Sequence, residues 1–444
     1  MSFEVLLEQA ETAASNQDLN AYYDGERSLD SVGISIPPRV RALEVVVNWT
    51  RLVVDTTAEV LTVEGFECVD AAYEDMELLR KVWQSSDMDS LSHLAHTEAL
   101  VQGEAYVIVG LTENGTVRTT VHSRDGFAVA ADSSGEITEA LVRFQTENEP
   151  GSTVEQAAYY TRDSVEVFQQ NNGMWSRVSS YAGCGIVPVI PLRNAARISD
   201  NQGRSEMEMV IPFNNSASRS FTLLQLATEI MSMPQRWIAG ADKTQFTKPN
   251  GAKAETWEIY LGSLFTTKDE NAKFGQFPGA DLSQIINVIK TCATQVSAMT
   301  GIPPSMLGVT TENPVSAEAM RAAKERMISR CERKQQIFGD TWETWARVVL
   351  ALQGKRVDNL ETLQAVWRDV AVPSVSARSA NLLQAHAQGV ISATTARDGL
   401  PLTPEQRAYE NRGEMEAGTL GASDTILQDD KPEPEPSVGV EGDS

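Results

Sequence analysis

The sequence has few cysteines and no closely spaced pair of them. Four cysteines stand far apart among 444 residues, with no Cys-x-x-Cys, at Cys68, Cys184, Cys292 and Cys331. This usage excludes a small scaffold stapled by disulfides. We expect reduced and mostly buried thiols, as in a protein that folds in the cytosol.

Basic residues and long hydrophobic runs are also scarce. The chain carries 37 Lys and Arg against 61 Asp and Glu, a formal net charge of −24. A generic DNA-coating protein would be basic, and an anionic membrane surface would repel this chain. No run approaches 18 uncharged apolar residues, and the N-terminus shows no signal peptide, so we expect no membrane partner. Because 41% of residues are apolar, the chain can bury a sizeable core in several modules.

Recognised catalytic motifs are missing from the sequence. It contains no GxxxxGK[ST], HExxH or GxSxG, so we expect neither an enzyme nor a cofactor. His93 and His96 have the spacing of two metal ligands on one helix. The favoured interpretation is that they are ordinary histidines of the core or the surface. Asp87 and Asp89 could hold Mg²⁺ in a nuclease, yet capping of the next helix explains them more simply.

Periodicity divides the first 205 residues into helices followed by strands. Apolar residues at helical spacing predict three helices, over Arg39–Val63, Ala72–Gln84 and Met88–Val101. From Ala105 to Leu192 the period is two and turn signals recur, which predicts an antiparallel β module. The run Ile186–Pro191 contains two prolines and should therefore form a strand at an edge or at the boundary of the module.

The remaining sequence returns to helical patterns around a short insertion. The predicted elements are a helix over Glu206–Met231 with Pro212 near its start, a small α/β insertion over 234–280, a helix over Leu282–Met299, a loop over 305–315, a helix over Ala317–Leu352 with a kink at Gly339, a strand around Leu363–Val366, and short helices over Ser376–Gly389, Thr394–Gly399 and Pro404–Gly413. The last 22 residues, from Ser423, hold seven acids and one lysine and should be disordered.

The long helix is locally basic, unlike the rest of the chain. Six bases fall within fourteen residues, at Arg321, Lys324, Arg326, Arg330, Arg333 and Lys334. A solvated face that pairs with acids of the chain is the favoured interpretation, and contact with nucleic acid or with an acidic neighbouring subunit is the alternative. Further along the helix, Trp342 and Trp345 should pack in the core rather than stack on bases.

Several strings, in their order along the chain, resemble portal proteins of tailed bacteriophages, in particular those of phages that infect actinobacteria. The resemblance covers about residues 28–413 and rests on Val54–Phe66, Trp83–Leu91, Ala99–Val109, Gly185–Pro191 with Gly203–Glu206, and Thr300–Gly308 with Asn313–Arg321. It implies an α+β, mainly helical subunit with an α/β wing, two stem helices, a small clip insertion, a long kinked helix and a helical crown.

The resemblance also implies how the chain is divided. The implied segments are a wing (1–205), a first stem helix (206–233), a clip (234–280), a second stem helix (281–300), a tunnel loop (301–316), a long wing helix (317–353), a return strand of the wing (354–373), crown helices (374–418) and an acidic tail (419–444). The residues assigned to the tunnel loop itself are Met306, Leu307, Gly308, Val309, Thr310, Thr311, Glu312 and Asn313.

Function and partners follow from the same resemblance. It implies a ring, usually of twelve subunits, at one capsid vertex of the virion, assembled in the host cytoplasm, through which double-stranded DNA is packaged and ejected. The implied partners are the terminase large subunit, a head-completion or adaptor protein, and the major capsid and scaffold proteins. Candidate DNA contacts are Lys268, Lys273, Arg321 and Lys324. A capsid or scaffold-binding adaptor without a channel, or a metal-dependent nuclease, are the alternatives.

Overall fold

The computed structural model consists of two compact units, residues 1–368 and residues 369–444. It describes residues 3–28, 43–68, 72–112, 114–133, 135–149, 152–171, 173–200, 202–231, 236–239, 273–276, 281–309, 317–355, 360–371 and 375–400. The predicted helix over Pro404–Gly413, the acidic tail and most of the insertion over 234–280 lie outside these residues.

The described strands pair only in antiparallel fashion. They are β1 (Val63–Glu67), β2 (Glu104–Leu111), β3 (Val117–His122), β4 (Phe127–Ala131), β5 (Ile137–Glu149), β6 (Ser152–Thr161), β7 (Ser164–Asn171), β8 (Met174–Ala182), β9 (Val189–Arg193), β10 (Arg236–Ala239), β11 (Lys273–Gln276) and β12 (Gln364–Trp367). The sheet orders are β3-β2-β9, β4-β5-β6-β7-β8, β1-β12 and β10-β11. The predicted antiparallel β module between Ala105 and Leu192 is therefore confirmed.

Strand β9 confirms the edge position that its prolines predicted. It pairs only with β2, and Pro191 lies opposite Tyr106. The Pro191 carbonyl accepts a hydrogen bond from the Thr341 hydroxyl at 3.3 Å, so the long helix covers this edge. Strands β4 and β8 were not predicted from the sequence. The first is rich in alanine, which is a weak strand signal, and the second is mostly exposed.

The described helices agree closely with most of the predicted ones. They are α1 (Phe3–Thr12), α2 (Gln17–Asp24), α3 (Trp49–Ala58), α4 (Tyr73–Ser85), α5 (Met88–Gln102), α6 (Ile211–Met231), α7 (Ser283–Thr300), α8 (Ala317–Leu352), α9 (Val375–Ala387) and α10 (Ala393–Gly399). Helix α8 has the predicted ends and spans roughly 54 Å at 1.5 Å per residue. Helix α6 begins five residues later than predicted, and Pro212 is its second residue.

The prediction of one helix over Arg39–Val63 is wrong. Within the described part of this range, residues 43–63, α3 is the only α-helix, and Val63 begins β1. Before α3 the amides of Val45, Val47 and Trp49 donate to three side chains of α6 at 2.9–3.0 Å. The acceptors lie four residues apart on one face of α6, at Asn214, Ser218 and Thr222. This ladder holds the segment along α6 and satisfies amides that helical bonds would otherwise use.

The main core of residues 1–368 forms around the indole rings of α8. Trp342 and Trp345 are fully buried, which confirms that they pack rather than stack on bases. Trp342 Nε1 donates to Nε2 of His96 at 2.9 Å, and Nδ1 of His96 faces the Leu61 carbonyl at 3.1 Å. Both ring nitrogens of His96 thus have a partner in the neutral form. His96 is a core histidine, as favoured from the sequence, and His93 is exposed.

Two glycines, Gly103 and Gly203, lie against each other where α5 ends and the chain continues beyond β9. Gly203 has a φ of +70°, and a Cβ atom there would lie 2.0 Å from the Gly103 carbonyl oxygen. Gly103 itself has a φ of +94°, and a Cβ atom there would lie 3.0 Å from the Arg204 amide nitrogen. The backbone of residues 203–206 can therefore lie against the end of α5 only with glycine at both positions.

We expect Gly203→Ala to lower the free energy of unfolding by about 2–4 kcal/mol, since it adds both a left-handed penalty and a backbone overlap. Gly185→Ala is the matched control, because Gly185 has a φ of +83° but open space around its Cβ position. It should cost only about 1–2 kcal/mol. Urea unfolding followed by tryptophan fluorescence measures both variants. If both variants lose the same free energy of unfolding, the overlap with the Gly103 backbone adds no destabilisation.

Candidate functional site

Helices α6 and α7 pack together and lead into the segment that the sequence assigned to the tunnel loop. Their apolar residues share one cluster with the start of α3, to which Ile289, Val296 and Trp49 belong. Helix α7 ends at Gly301, which has a φ of +78°. A short 3-10 turn, Pro304–Leu307, follows and is capped by Gly308. We call residues Gly301–Val309 the loop base.

The loop base is half anchored and half exposed. Leu307 is 5% exposed and belongs to the α6–α7 cluster, whereas its neighbour Met306 is 52% exposed. A cavity of about 410 Å³ lies beside Leu307 and Val309, lined largely by apolar side chains of α6, α7 and the segment before α3, with Lys290 among its lining residues. Burial of Leu307 fixes where the loop leaves the body, while Met306 projects from it.

The backbone of the loop base lies directly against α8. A Cβ atom at Gly301 would approach the Met327 amide nitrogen to 2.9 Å. Arg330 Nη1 donates to the Thr300 carbonyl at 2.8 Å, and the Ser297 hydroxyl donates to the Ile302 carbonyl at 2.6 Å. Two carbonyls left without helical partners at the end of α7 are thereby satisfied.

A largely buried polar cluster continues from Arg330 towards the end of β9 in the sheet β3-β2-β9. The Glu206 carboxylate, 5% exposed, pairs with Arg330 and with Lys334 Nζ, the latter at 2.9 Å. Asn194 Nδ2 donates to the same carboxylate at 3.1 Å, and its amide oxygen accepts from Lys334. The Glu206 amide donates to the Leu100 carbonyl at 2.8 Å. We call Asn194, Glu206, Arg330 and Lys334 the Glu206 cluster.

The cluster holds two cations on one carboxylate. Burial and the neighbouring Arg330 lower the pKa of Lys334 to about 8. The ion pair with Glu206 favours the charged form of Lys334, and the amide oxygen of Asn194 accepts a hydrogen bond from its ammonium group. A buried charge group of this kind contributes little net stability against an apolar replacement, but removing one member is costly.

The basic stretch of α8 therefore divides into two parts. Arg330 and Lys334 turn inward onto an acid of the chain, whereas Lys324, Arg326 and Arg333 are exposed. The expectation of pairing with the chain's own acids is right for the first two. The expectation of a solvated face is wrong for Lys334, whose side chain is 9% exposed, and Arg330 is only partly solvated, with its side chain 20% exposed.

The structure places only some of the predicted site residues. Lys324 lies exposed on α8, and Lys273 lies exposed at the start of β11, opposite Ala239 of β10. Arg321 is part of α8, but its side chain lies outside the described part of the structure. The candidates that fall wholly outside the described residues are Lys268, Thr310, Thr311, Glu312 and Asn313. Of the proposed tunnel loop, Met306, Leu307, Gly308 and Val309 are described.

The predicted capping role of the acidic pair before α5 is wrong. Asp87 occupies the cap position with a φ of +55°, yet its side chain makes no capping hydrogen bond. The Asp89 carboxylate instead accepts from Trp83 Nε1 at 2.7 Å and from Gln84 Nε2 at 3.0 Å. In the described part of the chain, no three His, Cys, Asp or Glu side chains converge as a metal site.

Comparison with known proteins finds a family whose model covers most of the chain. The family model "Phage portal protein, SPP1 Gp6-like" matches residues 5–417. The chain belongs to this family of phage portal proteins. Two proteins named "Portal protein" are similar to it over most of their length. That of Mycobacterium phage D29 is 31% identical over 91% of this chain and 87% of its own, and that of Mycobacterium phage L5 is 30% identical over 90% and 85%.

Solved structures similar to this portal chain come from gene transfer agent particles. A chain of the native virion covers 90% of this chain and 99% of its own at 14% identity, with a TM-score of 0.47. A chain of the empty-particle neck covers 90% and 98% at 16% identity, with a TM-score of 0.46. The sequence-based prediction of a portal protein is confirmed by the family match and by the mycobacteriophage relatives.

Sequence reasoning missed the residues that anchor the loop base of this portal protein. Glu206 stood in a string that carried the family resemblance, but nothing in the sequence paired it with Arg330. The basic stretch of α8 was noticed as a whole, and a four-residue step from Arg330 to Lys334 could have suggested one shared partner. The polar ladder Asn214, Ser218 and Thr222 on α6 was a readable signal, because its four-residue spacing places all three on one face.

Proposed function

We propose that copies of this chain close into a ring, usually of twelve, whose central channel passes double-stranded DNA into and out of the capsid. Membership of the portal family is the single observation that carries this proposal. A closed ring needs a head-to-tail interface that repeats around one axis. We place it at one capsid vertex of the virion, after assembly in the host cytoplasm.

The described elements support the assignment of segments that the resemblance implied. We assign α6 and α7 to the stem, β10 and β11 to the clip, and α8 to the long wing helix. The α1–α5 and β1–β9 elements, with β12, form the wing, and α9 and α10 belong to the crown. The kink at Gly339 stays a prediction. A Cβ atom there would lie 3.4 Å from Trp367 Nε1, which suits close packing at that point.

Charge would keep DNA moving through such a channel. Each Lys or Arg that contacts a phosphate adds salt-dependent affinity and therefore drag. The net charge of −24 keeps these contacts few. Within α6 and α7, 39 residues in total, the charged residues are Arg219, Glu229 and Lys290. Lys268, Lys273, Arg321 and Lys324 remain our candidates for the sparse contacts with DNA.

The tunnel loop would contact DNA by its shape rather than by its charge. The segment from Met306 to Asn313 contains Glu312 and no base. Met306 already projects from the loop base, and Leu307 anchors it. The loop should therefore oppose backward sliding of the duplex without binding phosphates.

Deletion of Thr310–Asn313 is expected to impair DNA packaging or retention and to leave ring assembly intact. The test compares the DNA content of heads assembled with the deletion variant, together with negative-stain images of the purified rings. Replacing the same four residues by Gly-Ser-Gly-Ser restores the length and is the control that should package DNA. Normal DNA content with the deletion would count against the loop's role. Purified protein that assembles without a central hole would contradict the channel itself.

The remaining partners follow from the portal role. We propose that the clip binds the terminase large subunit during packaging and a head-completion or adaptor protein afterwards, and that the wing contacts the major capsid and scaffold proteins. The chain would act without catalysis of its own and would need no cofactor. Within the described residues, no helix has the length and apolar content needed to cross a membrane.

A further inference from the structure

Arg330 connects three parts of the chain that diverge around the loop base. Its guanidinium lies on α8, donates to the Thr300 carbonyl at the end of α7, and pairs with Glu206 just ahead of α6. Glu206 is in turn bonded through its amide to Leu100 of α5. One side chain thus ties the origin of the loop to the helix that follows the loop and to the wing core.

We propose that Arg330 is the positioning residue for the tunnel loop, holding its base in one place so that the loop can oppose DNA. This inference rests on the proposed function. The guanidinium offers two separate nitrogens, so Nη1 can bind the Thr300 carbonyl while Nη2 pairs with Glu206, whereas the single Nζ of a lysine would have to serve both places from one atom. Only arginine can make both contacts in this arrangement.

The apolar contacts of the loop base hold only part of it, so a polar contact can contribute to its position. Leu307 is buried, but Met306 is half exposed and an open cavity lies beside Val309. The turn itself is held by local bonds, among them Met306 N to Pro303 O at 2.9 Å and Val309 N to Pro304 O at 3.0 Å. These bonds shape the turn but do not tie it to α8. The hydrogen bond from Arg330 to the Thr300 carbonyl supplies a polar contact with α8, and Gly301 adds a close backbone approach to Met327.

Arg330→Lys tests the proposal, since it keeps the charge on Glu206 and gives up the second contact. Amide hydrogen exchange of the assembled protein should become about tenfold faster over residues 301–309, the factor expected for loss of one hydrogen bond from a charged donor. Amides of residues 103–109, from the residue that follows α5 into β2, should keep their wild-type rates. Arg333→Lys is the matched control, because Arg333 is an exposed arginine of the same helix.

DNA retention in heads assembled with each variant provides the second readout. We expect Arg330→Lys heads to lose DNA and Arg333→Lys heads to retain it. The proposal is overturned if exchange over 301–309 is unchanged, if it rises equally over 103–109, or if it rises while DNA retention stays normal. Failure of the proposed function is recognised separately, because deletion of Thr310–Asn313 would then also leave DNA retention normal.

Discussion

Replacing Glu206 with glutamine is expected to lower the free energy of unfolding by about 3–5 kcal/mol, because it leaves Arg330 and Lys334 buried without their carboxylate. The glutamine amide has almost the same shape as the carboxylate. Its oxygen can accept one of the hydrogen bonds, but it supplies no charge, and its NH₂ group would face the cations. Urea unfolding monitored by tryptophan fluorescence measures the loss, since Trp342 and Trp345 lie in the core that α8 builds.

Glu208→Gln is the matched control for this prediction. Glu208 lies two residues further on and pairs with Arg204 at the surface, where its side chain is 40% exposed. Exposed pairs contribute about 0–1 kcal/mol, so this variant should unfold almost as the wild type does. Similar losses for both variants would mean that the Glu206 cluster is no more important to stability than a surface ion pair.

Periodicity alone was enough to predict most helices of this chain. Helix α8 has 36 residues with apolar members at regular spacing, and its long repeat left little ambiguity about its extent. The same argument failed for Arg39–Val63, because the apolar residues before Trp49 serve an extended segment whose amides bind α6. Such a segment depends on side chains about 170 residues away, which local spacing cannot reveal.

The candidate site was predictable only in outline. The loop between α7 and α8 could be located, because Gly301, Pro303 and Pro304 interrupt a helical pattern. The buried Glu206 cluster could not be located, since a base at helical spacing looks the same whether it faces solvent or an acid of another element. Local spacing was also insufficient for Asp87 and Asp89. The Asp89 carboxylate accepts hydrogen bonds from Trp83 and Gln84 of α4, and the Asp87 side chain makes no capping hydrogen bond to α5.

Acidification from pH 6.5 towards pH 3 is expected to remove about 4–5 kcal/mol of stability through His96 alone. Complete burial lowers the pKa of His96 from 6.5 to about 3. In the unfolded chain His96 therefore becomes protonated below about pH 6.5, whereas in the folded protein it becomes protonated only near pH 3. Stability that is fully present above pH 6.5 is lost across this window as the pH falls, with a slope of about 1.4 kcal/mol per pH unit.

The effect of His96 can be separated from that of the carboxylates by comparing slopes between pH 4.5 and 6.5, above the usual pKa of Asp and Glu. His96→Gln removes the titration, so its unfolding free energy should fall by about 2–3 kcal/mol less than that of the wild type over this interval. His93→Gln removes an exposed histidine three residues earlier on α5 and is the control for loss of a histidine that is not in the core. If His96→Gln keeps the wild-type slope, the imidazole bonded to Trp342 and Leu61 accepts a proton in the folded state, and the core around α8 must open to admit it.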